Sequence, residues 1–268
     1  MMKKTILGLR TETSVHAGTG QNVGVVDLPI QREVHTGYPC VFGSAVKGAF
    51  RAHAEIRADW DKQRIERVFG KEDASEASGI SLSDARLLLL PVRSLTGHFR
   101  LVTCPAILAR LKRDAELAGC FRDFRIPSVQ RNQVVAVQQG EPLFLEEFRF
   151  EQASGLEEEL VSFLEAVGAA GCADQLLVMH DDDFAWFAKN ATAVTPHVAI
   201  DSKTKTVTNG ALWYEESLPS DTVLYTLLMG KPEAVDEVLE MVNGHRFIQL
   251  GGNETVGMGW CRVMEVAG

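Results

Sequence analysis

The sequence has little of the chemistry that marks several large classes of protein. Its five cysteines are odd in number and form no CxxC pair, so they predict neither a disulfide framework nor a zinc knuckle. No hydrophobic run approaches the ~18 residues that span a bilayer. Arg10 and Glu12 interrupt the short apolar start before a signal-peptide core could form. P-loop and GxGxxG dinucleotide motifs are also missing. We therefore expect a cytoplasmic protein with reduced core thiols and no membrane partner.

The chain is long enough to bury a sizeable core. It has 268 residues and 46% hydrophobic content. No convincing internal repeat, low-complexity tract or linker divides it, so the sequence predicts one domain over residues 1–268. The polar stretch KEDASEASG, residues 71–79, is the best candidate for local disorder.

The formal net charge of −9 argues against a nucleic-acid partner, because phosphate binding needs a basic surface. The distribution of charge reverses this argument. Residues 1–51 carry six Lys/Arg against three Asp/Glu, and residues 86–135 carry nine against three. Residues 136–188 carry one against twelve. Such a chain could bind RNA with one face and a neighbouring protein with another, although a solvated acidic helix explains the acidic block equally well.

The order of predicted elements is typical of an α+β fold. A strand near the N-terminus is followed by a helix over residues 43–60, by apolar strands over 80–92 and 143–150, by a helix over 232–243 and by a closing strand. This order predicts a ferredoxin-like (RRM-type) core with insertions. Residues 194–214 alternate on both sides of DSKTK and predict a long β-hairpin that projects from the core.

Residues 24–51 bring together groups that suit a phosphodiester backbone. Asp27 ends an apolar run beside a proline corner. Ser44 precedes a helical pattern, where its hydroxyl is predicted to cap the first turn. Lys47 and Arg51 lie four residues apart and so share one face of that helix. A helix N-terminus with two cations behind it favours anion binding.

Four motifs resemble the RAMP superfamily of CRISPR proteins. They are LRTETSVHAGTG (9–20), the VGVVDLPIQRE…TGYP block (23–39), GSAVKGAFR (43–51) and LGGNETVGMGW (250–260). Within that superfamily they are most similar to the backbone subunits of type III-B Cmr effectors, the Cas-seven group. Residues 52–249 match mainly in the order of elements.

The resemblance implies two catalytic residues. Asp27 falls on the acid that this group needs for target-RNA cleavage. One carboxylate could hold a divalent ion, Mg or Mn, near the scissile phosphate, or orient and deprotonate the attacking 2′-hydroxyl. His16 is the second candidate, as a proton donor to the leaving oxygen. The alternatives are that Asp27 caps a turn or pairs with Arg32, and that His16 is a core or loop histidine.

The resemblance also implies an RNA-binding set. It comprises Ser44, Lys47 and Arg51 for guide-RNA phosphates, and the glycine-rich loop Gly251, Gly252 and Gly257 near the first helix. The alternatives are solvated helix residues and an ordinary glycine bulge. The hairpin with Lys203 and Lys205 at its tip is implied to be a thumb that kinks the guide–target duplex.

Three further groups have competing interpretations. Glu215 and Glu216 could support the catalytic site, although a solvated strand end is favoured. The acids of residues 180–183 resemble a metal cluster, but a helix N-terminus explains them better. Residues 122–131 line the RNA channel or form a basic surface loop.

The sequence thus favours a CRISPR backbone subunit that binds guide RNA, oligomerises along it and cleaves target RNA at regular intervals. The expected partners are further copies of the chain and other Cmr subunits, including a large polymerase-like and a small helical one. A catalytically inactive RNA-binding backbone subunit is the alternative. A small-molecule enzyme that binds phosphate at the glycine loop is the third hypothesis.

Overall fold

The fold is built on one large mixed β-sheet, in a computed structural model that describes residues 2–21, 24–71 and 75–266. Residues 72–74 of the polar stretch expected to be disordered lie outside this part of the chain. The strands are β1 (Lys3–Thr11), β2 (Cys40–Val41), β3 (Ile80–Leu82), β4 (Ala85–Arg93), β5 (Phe99–Thr103), β6 (Gln133–Ala136), β7 (Leu143–Leu145), β8 (Phe148–Ser154), β9 (Leu176–Met179), β10 (Ala193–Ile200), β11 (Val207–Ser217), β12 (Val223–Gly230), β13 (Phe247–Gln249) and β14 (Trp260–Val266).

Six α-helices lie within the described residues. They are α1 (Gly43–Ile56), α2 (Lys62–Phe69), α3 (Pro105–Ala118), α4 (Glu158–Leu164), α5 (Asp181–Asn190) and α6 (Pro232–His245). A π-helical turn, Glu165–Ala169, continues α4. None of the helices in the described chain is long and apolar enough to cross a bilayer.

The predicted ferredoxin-like core is present. Its four strands lie in the order β14-β1-β12-β4, and each pairs antiparallel with its neighbours. The crossovers run through α1 and α6, which is the topology of this fold. Strands β5, β9, β6, β8 and β7 extend the sheet beyond β4 as insertions. The apolar run at residues 87–90 is fully buried, as its composition predicts.

The two faces of β1 pack on different helices. An added Cβ at Gly8 would lie 1.6 Å from the Val167 carbonyl oxygen, so Gly8 faces the π-helical turn at very close range. Because side chains alternate along a strand, Leu7 and Leu9 point to the other face. Helix α6 packs against β1, β12 and β14. The core therefore has two layers of helix around one sheet.

The predicted hairpin is a separate two-stranded sheet formed by β10 and β11. It spans residues 193–217 and is therefore slightly longer than the predicted range, 194–214. Apolar side chains along it, including Val198, Ile200 and Val207, are about half exposed, which is consistent with a projecting element. Its tip is a turn in which Asp201 Oδ1 accepts the amides of Lys203 and Thr204 at 2.9 and 2.8 Å.

Two predicted strands are each divided by a turn. Residues 80–92 form β3 and β4, because Ser83 and Asp84 turn the chain to bind β12 and the start of α1. Residues 143–150 form the hairpin β7–β8, whose turn includes Glu146 at φ 50°. Helix α1 ends at Ile56 and does not reach residue 60.

Candidate active site and RNA-binding surface

The base of the hairpin brings together two segments from the first 30 residues. One edge of β11 pairs with β10. Along the other edge, the Leu28 amide donates to the Tyr214 carbonyl at 3.1 Å, and the Glu216 amide donates to the Leu28 carbonyl at 3.0 Å. Val15 and Leu218 exchange two hydrogen bonds of 2.9 Å further along. The segments that carry Asp27 and His16 therefore meet at this edge.

The Asp27 carboxylate is fixed on the strand. Its Oδ2 accepts the backbone amide of Tyr214 at 2.8 Å, and the side chain is half-buried. Arg32, its alternative partner from the sequence, binds Glu216 instead. Asp27 Oδ1 accepts no hydrogen bond from the described residues, which leaves one carboxylate oxygen for a substrate or an ion.

The His16 imidazole is oriented by the same strand. Nδ1 lies 2.7 Å from the Glu216 carbonyl oxygen. A carbonyl only accepts, so Nδ1 carries the hydrogen and Nε2 is the atom that exchanges a proton. Gly18 leaves room for this atom, because an added Cβ there would lie 2.6 Å from Nε2. Glu215 Oε1 lies 3.7 Å from Nδ1.

The backbone groups that anchor Asp27 and His16 lie close together on β11. Tyr214 and Glu216 are two residues apart, and their amide and carbonyl groups point to the same side of β11. A strand rises about 3.4 Å per residue, so the anchors of Asp27 and His16 are about 7 Å apart. A carboxylate and an imidazole whose anchors are this close can act together on one phosphodiester group.

Glu215 and Glu216 are not a solvated strand end, so that interpretation was wrong. Both are buried, with exposed fractions of 7% and 6%. Glu216 accepts from Arg32 at 2.5 Å, from the Thr192 hydroxyl at 2.6 Å and from the Ile30 amide at 3.1 Å. Through Ile30 and Arg32, Glu216 holds the segment that follows Asp27 against the hairpin.

The glycine-rich loop supports the His16 segment from the opposite side. Gly251 has φ +79°, and an added Cβ would lie 2.3 Å from the His16 carbonyl oxygen. The Gly252 amide donates to the same oxygen at 2.9 Å. Asn253 donates its side-chain amide to Glu215. An added Cβ at Gly257 would meet no atom within 4 Å. The loop is therefore part of the support of His16.

Ser44 does not cap α1, which corrects the sequence prediction. The helix begins at Gly43, and its N-cap residue, Phe42, makes no capping hydrogen bond through its side chain. Ser44 is instead an exposed residue of the first turn, because the Gly43 amide is already bound by Asp84 at 2.7 Å. The hydroxyl of Ser44 is consequently at the surface near the helix N-terminus.

Lys47 and Arg51 share one face of α1, as predicted. Burial, with Arg51 as a second cause, lowers the pKa of the Lys47 ammonium group. Arg51 donates to Glu55 at 2.9 Å and to the Gly70 carbonyl at 2.8 Å, so it also ties α1 to the end of α2.

The glycine loop lies at a different edge of α1 from these two cations. A groove of about 340 Å³ runs between the loop and the helix, and Ala45, Ala49 and Ala52 form its floor. At 100° per residue, these alanines lie about 140° around the helix from Lys47 and Arg51. Helix α1 thus presents two separate surfaces, one with the two cations and one lined by small side chains.

The groove contains functional candidates that the sequence did not indicate. They are His53, Arg57, Gln249 and Trp260. The Arg57 guanidinium lies 5.9 Å from the centre of the Trp260 ring. The small-residue spacing along one side of α1, Ala45, Gly48, Ala49 and Ala52, was the signal that could have located this surface.

The remaining sequence candidates are placed as follows. His180 is the N-cap of α5, and its Nδ1 accepts the Asp182 amide at 3.1 Å, so the helix N-terminus interpretation is confirmed. Arg131 pairs with Asp182, whereas Arg122 lines a cleft beside β14. Residues 122–131 therefore do not present one continuous basic surface.

The site accommodates a divalent ion only in part. Within residues 2–21, 24–71 and 75–266, no cluster of three or more His, Cys, Asp or Glu side chains could hold a metal. Asp27 offers one free carboxylate oxygen. Mg²⁺ commonly binds through one or two carboxylates with water and substrate phosphate as its other ligands. The geometry fits an ion that is shared with RNA.

A family model described as the RAMP superfamily matches residues 8–262. The chain belongs to the RAMP superfamily. It is 38% identical to the CRISPR system Cmr endoribonuclease Cmr4 of Pyrococcus furiosus, and the match covers 98% of this RAMP protein and 95% of the relative.

Solved RAMP structures share the fold. An oligomeric Cmr4 from Pyrococcus furiosus is similar over 100% of both chains, with a TM-score of 0.78 and 31% identity. A chain in the cryo-EM structure of the type III-B Cmr-beta complex bound to cognate target RNA has a TM-score of 0.83 at 23% identity. That match covers 98% of this chain and 97% of the other, and it establishes the fold only.

Proposed function

We propose that the protein is a backbone subunit of a CRISPR type III-B effector, which binds guide RNA, assembles with further copies along it and cuts complementary target RNA. The shared edge of β11, where Asp27 and His16 are anchored two residues apart, is the observation that carries this proposal. The 38% identical relative is named as an endoribonuclease of the Cmr system, which supports the same activity here.

The two side chains have complementary roles in the proposed reaction. Asp27 accepts the proton of a target 2′-hydroxyl and orients that oxygen for in-line attack on the adjacent phosphorus. The new O2′–P bond forms as the P–O5′ bond breaks. The protonated His16 donates from Nε2 to the leaving 5′ oxygen, with Glu215 stabilising the imidazolium. The products are a 2′,3′-cyclic phosphate and a 5′-hydroxyl end.

A divalent ion, Mg or Mn, would be held by Asp27 together with phosphate oxygens of the RNA. When bound, it would stabilise negative charge on the phosphoryl oxygens. The protein's own residues would still set the position of the reacting groups.

Guide RNA is proposed to cross α1. Phosphates would contact Ser44, Lys47 and Arg51, and the backbone would approach Gly251, Gly252 and Gly257 across the groove. His53, Arg57 and Trp260 add a stacking and hydrogen-bonding surface. These contacts are sequence-independent, as the guide itself reads the target. The hairpin with Lys203 and Lys205 would act as the thumb.

The proposed assembly is a cytoplasmic ribonucleoprotein. Its other members would be copies of this chain, a large polymerase-like subunit and a small helical subunit. Residues 1–268 would act as one RAMP domain with the hairpin as an insertion. The solved oligomeric Cmr4 supports self-assembly of a chain with this fold.

The decisive experiment compares wild type with Asp27→Ala in complexes assembled on guide RNA. Labelled complementary RNA is added with and without chelator, and the ends of the products are mapped. Regularly spaced products with cyclic phosphate ends should disappear in Asp27→Ala while target binding is retained. Asp174→Ala, which removes an exposed acid far along the chain, is the matched control. Unchanged cleavage in Asp27→Ala would leave a structural RNA-binding subunit and assign the chemistry elsewhere.

A further inference from the structure

The buried carboxylate of Glu215 has a partner set different from that of its neighbour Glu216. Glu216 accepts from the Arg32 guanidinium and from two further donors. The carboxylate of Glu215 is only 8% exposed, and within the described part of the chain it accepts one hydrogen bond, from the side-chain amide of Asn253. A carboxylate that is taken out of water without a donor is strongly destabilised. Asn253 therefore compensates the burial of Glu215.

The backbone of the glycine-rich loop sets the direction of the Asn253 side chain. Asn253 has φ +63° and ψ 27°, in the left-handed region that glycine and asparagine adopt most readily. Its carbonyl accepts the amides of Val256 and Met258 at 3.1 and 3.2 Å. The residue is half-buried, and its Nδ2 also lies 3.6 Å from Met258 Sδ. The amide group is thus held in one orientation, toward Glu215.

Two oxygen atoms compete for the Nδ1 hydrogen of His16. The Glu216 carbonyl oxygen lies 2.7 Å from Nδ1, and Glu215 Oε1 lies 3.7 Å from the same atom. A carboxylate oxygen is a stronger acceptor than a neutral carbonyl oxygen. The Asn253 amide donates to this same Oε1, so the competing oxygen is already engaged. Its hydrogen bond therefore weakens the attraction of Glu215 for the ring.

A turn of the His16 ring toward Glu215 would displace its other nitrogen, Nε2. The backbone of His16 is fixed, because the Gly252 amide donates to its carbonyl at 2.9 Å. Only the side chain can respond, in a site where an added Cβ at Gly18 would lie 2.6 Å from Nε2. A displacement of about 1 Å can cost a catalytic group about 100-fold in rate. The orientation of the ring is therefore sensitive to the partner of Glu215.

We propose that Asn253 is a positioning residue for RNA cleavage, which holds the Glu215 carboxylate so that His16 Nε2 stays directed at the leaving 5′ oxygen. The inference rests on the proposed function, because it concerns how the proton donor of that reaction is aligned. In this role Asn253 contacts neither the target RNA nor the reacting atoms. It affects one half of the reaction, since Asp27 is anchored separately on the Tyr214 amide.

Two substitutions remove the amide and keep the backbone conformation. Asn253→Gly deletes the side chain at a left-handed position that glycine adopts without strain. Asn253→Asp keeps the shape of the side chain but places a second carboxylate against Glu215, so repulsion replaces the hydrogen bond. In complexes assembled on guide RNA, single-turnover cleavage at saturating target should fall by roughly 10- to 100-fold in both variants. The dissociation constant of the target should not change, because the substitutions alter the rate of the reaction and not binding.

A target RNA with sulfur in place of the leaving 5′ oxygen separates positioning of the proton donor from general damage. The 2′ oxygen still attacks phosphorus, but the P–S bond breaks and the sulfur leaves as a thiolate, which needs no proton at neutral pH. With this target, both Asn253 variants should cleave at a rate close to that of wild type. Asp27→Ala should stay inactive on it, because the group that activates the 2′-hydroxyl is still missing.

Thr255→Ala is the matched control. Thr255 is an exposed residue of the same loop whose side chain makes no hydrogen bond with the described residues, so this variant should cleave both targets as wild type does. Wild-type cleavage of the ordinary target by Asn253→Gly would overturn the inference.

Three further outcomes would also count against a positioning role for Asn253. A loss of target binding would assign the loop to RNA contact, and a loss of rate that the sulfur target does not restore would place the effect outside the proton-donor half. Rescue of Asp27→Ala by sulfur would show that the rescue is not specific. Absence of cleavage by wild type would end the proposed function and this inference together, whereas a normal rate in Asn253→Gly would end the inference alone.

Discussion

Asp27 and His16 are bound to the same edge of β11, one through the amide of Tyr214 and the other through the carbonyl of Glu216. That strand is also one arm of the projecting hairpin. A duplex that displaces the hairpin would therefore move both side chains together, and their separation would be preserved. If the hairpin is the thumb of the proposed function, this coupling would let it place the reacting groups as well as bend RNA.

The position of the His16 ring should depend on the absence of a side chain at Gly18. In Gly18→Ala, the added methyl group would lie 2.6 Å from Nε2, so the ring must rotate away from its position. We expect target cleavage to fall by roughly 10- to 100-fold, since small displacements of a catalytic group have effects of this size. Guide and target binding should be unchanged.

Gly244→Ala is the matched control for this substitution. Gly244 lies in α6, and an added Cβ meets no atom within 4 Å. Replacing a helical glycine with alanine should stabilise the protein by up to about 1 kcal/mol and leave cleavage unchanged. Equal cleavage by Gly18→Ala and wild type would show that His16 Nε2 does not take part in the reaction.

The ion pair of Arg32 with Glu216 should be a major contributor to stability at the site. Glu216 has a side chain only 8% exposed, and removing Arg32 would leave its charge uncompensated. We expect Arg32→Ala to lower the free energy of unfolding by about 3–5 kcal/mol, measured by urea denaturation. Glu216→Gln should cost less, because the amide oxygen can still accept from Ile30.

A double-mutant cycle isolates the pair itself. The variant Arg32→Ala with Glu216→Gln should lose clearly less stability than the sum of the two single variants, since the buried charge is then absent. Additive losses would mean that the two side chains contribute independently and that the pair does not secure the hairpin base.

The overall fold was predictable because its signals are local. Hydrophobic periodicity indicated the main helices, and the alternation around Asp201 indicated the hairpin. The divided strands were missed because an apolar run gives no sign of the turn at Ser83 and Asp84, which is stabilised by a strand that lies over 140 residues away. Local pattern also cannot show which residue is the cap when Asp84 already binds the first amide of α1.

The site was predictable only in part. Asp27 and His16 were indicated by motif resemblance, not by spacing. Their anchors could not be predicted, because Tyr214 lies 187 residues from Asp27. The burial of Glu215 was missed for a related reason. Adjacent acids after an aromatic pair are normally solvated, and only the tertiary contacts with His16 and Asn253 reverse that expectation.

The cysteines should be unreactive in the folded protein. All five are free and buried, which confirms the expectation of reduced core thiols. Burial raises the pKa of Cys40, Cys104 and Cys261 to about 12, so almost no thiolate is present at neutral pH. A thiol-specific disulfide reagent should therefore label far less than one cysteine per native chain and all five after denaturation. Rapid labelling of the native protein would contradict this arrangement.

Stability should fall in mildly acidic solution, and His53 should be one cause. Burial, with the charges of His245 and Arg57 as further causes, lowers the pKa of the His53 imidazole, whose ordinary value is 6.5. Below that value His53 binds a proton more readily in the unfolded chain than in the folded chain. The free energy of unfolding therefore decreases as pH falls through about 6.5, by at most about 1.4 kcal/mol per pH unit for one group.

His53→Phe should remove this contribution. The Nε2 atom of His53 is buried and makes no hydrogen bond in the described structure, so an apolar ring can replace it without loss of a partner. The unfolding free energy is compared at roughly one pH unit above and one below the ordinary pKa, about pH 7.5 and about pH 5.5. The difference between the two should be smaller in His53→Phe than in wild type. His35→Gln, which changes a side chain that is 77% exposed, should retain the wild-type difference. If all three proteins lose stability equally on acidification, the proton is taken up elsewhere and the environment of His53 has no part in it.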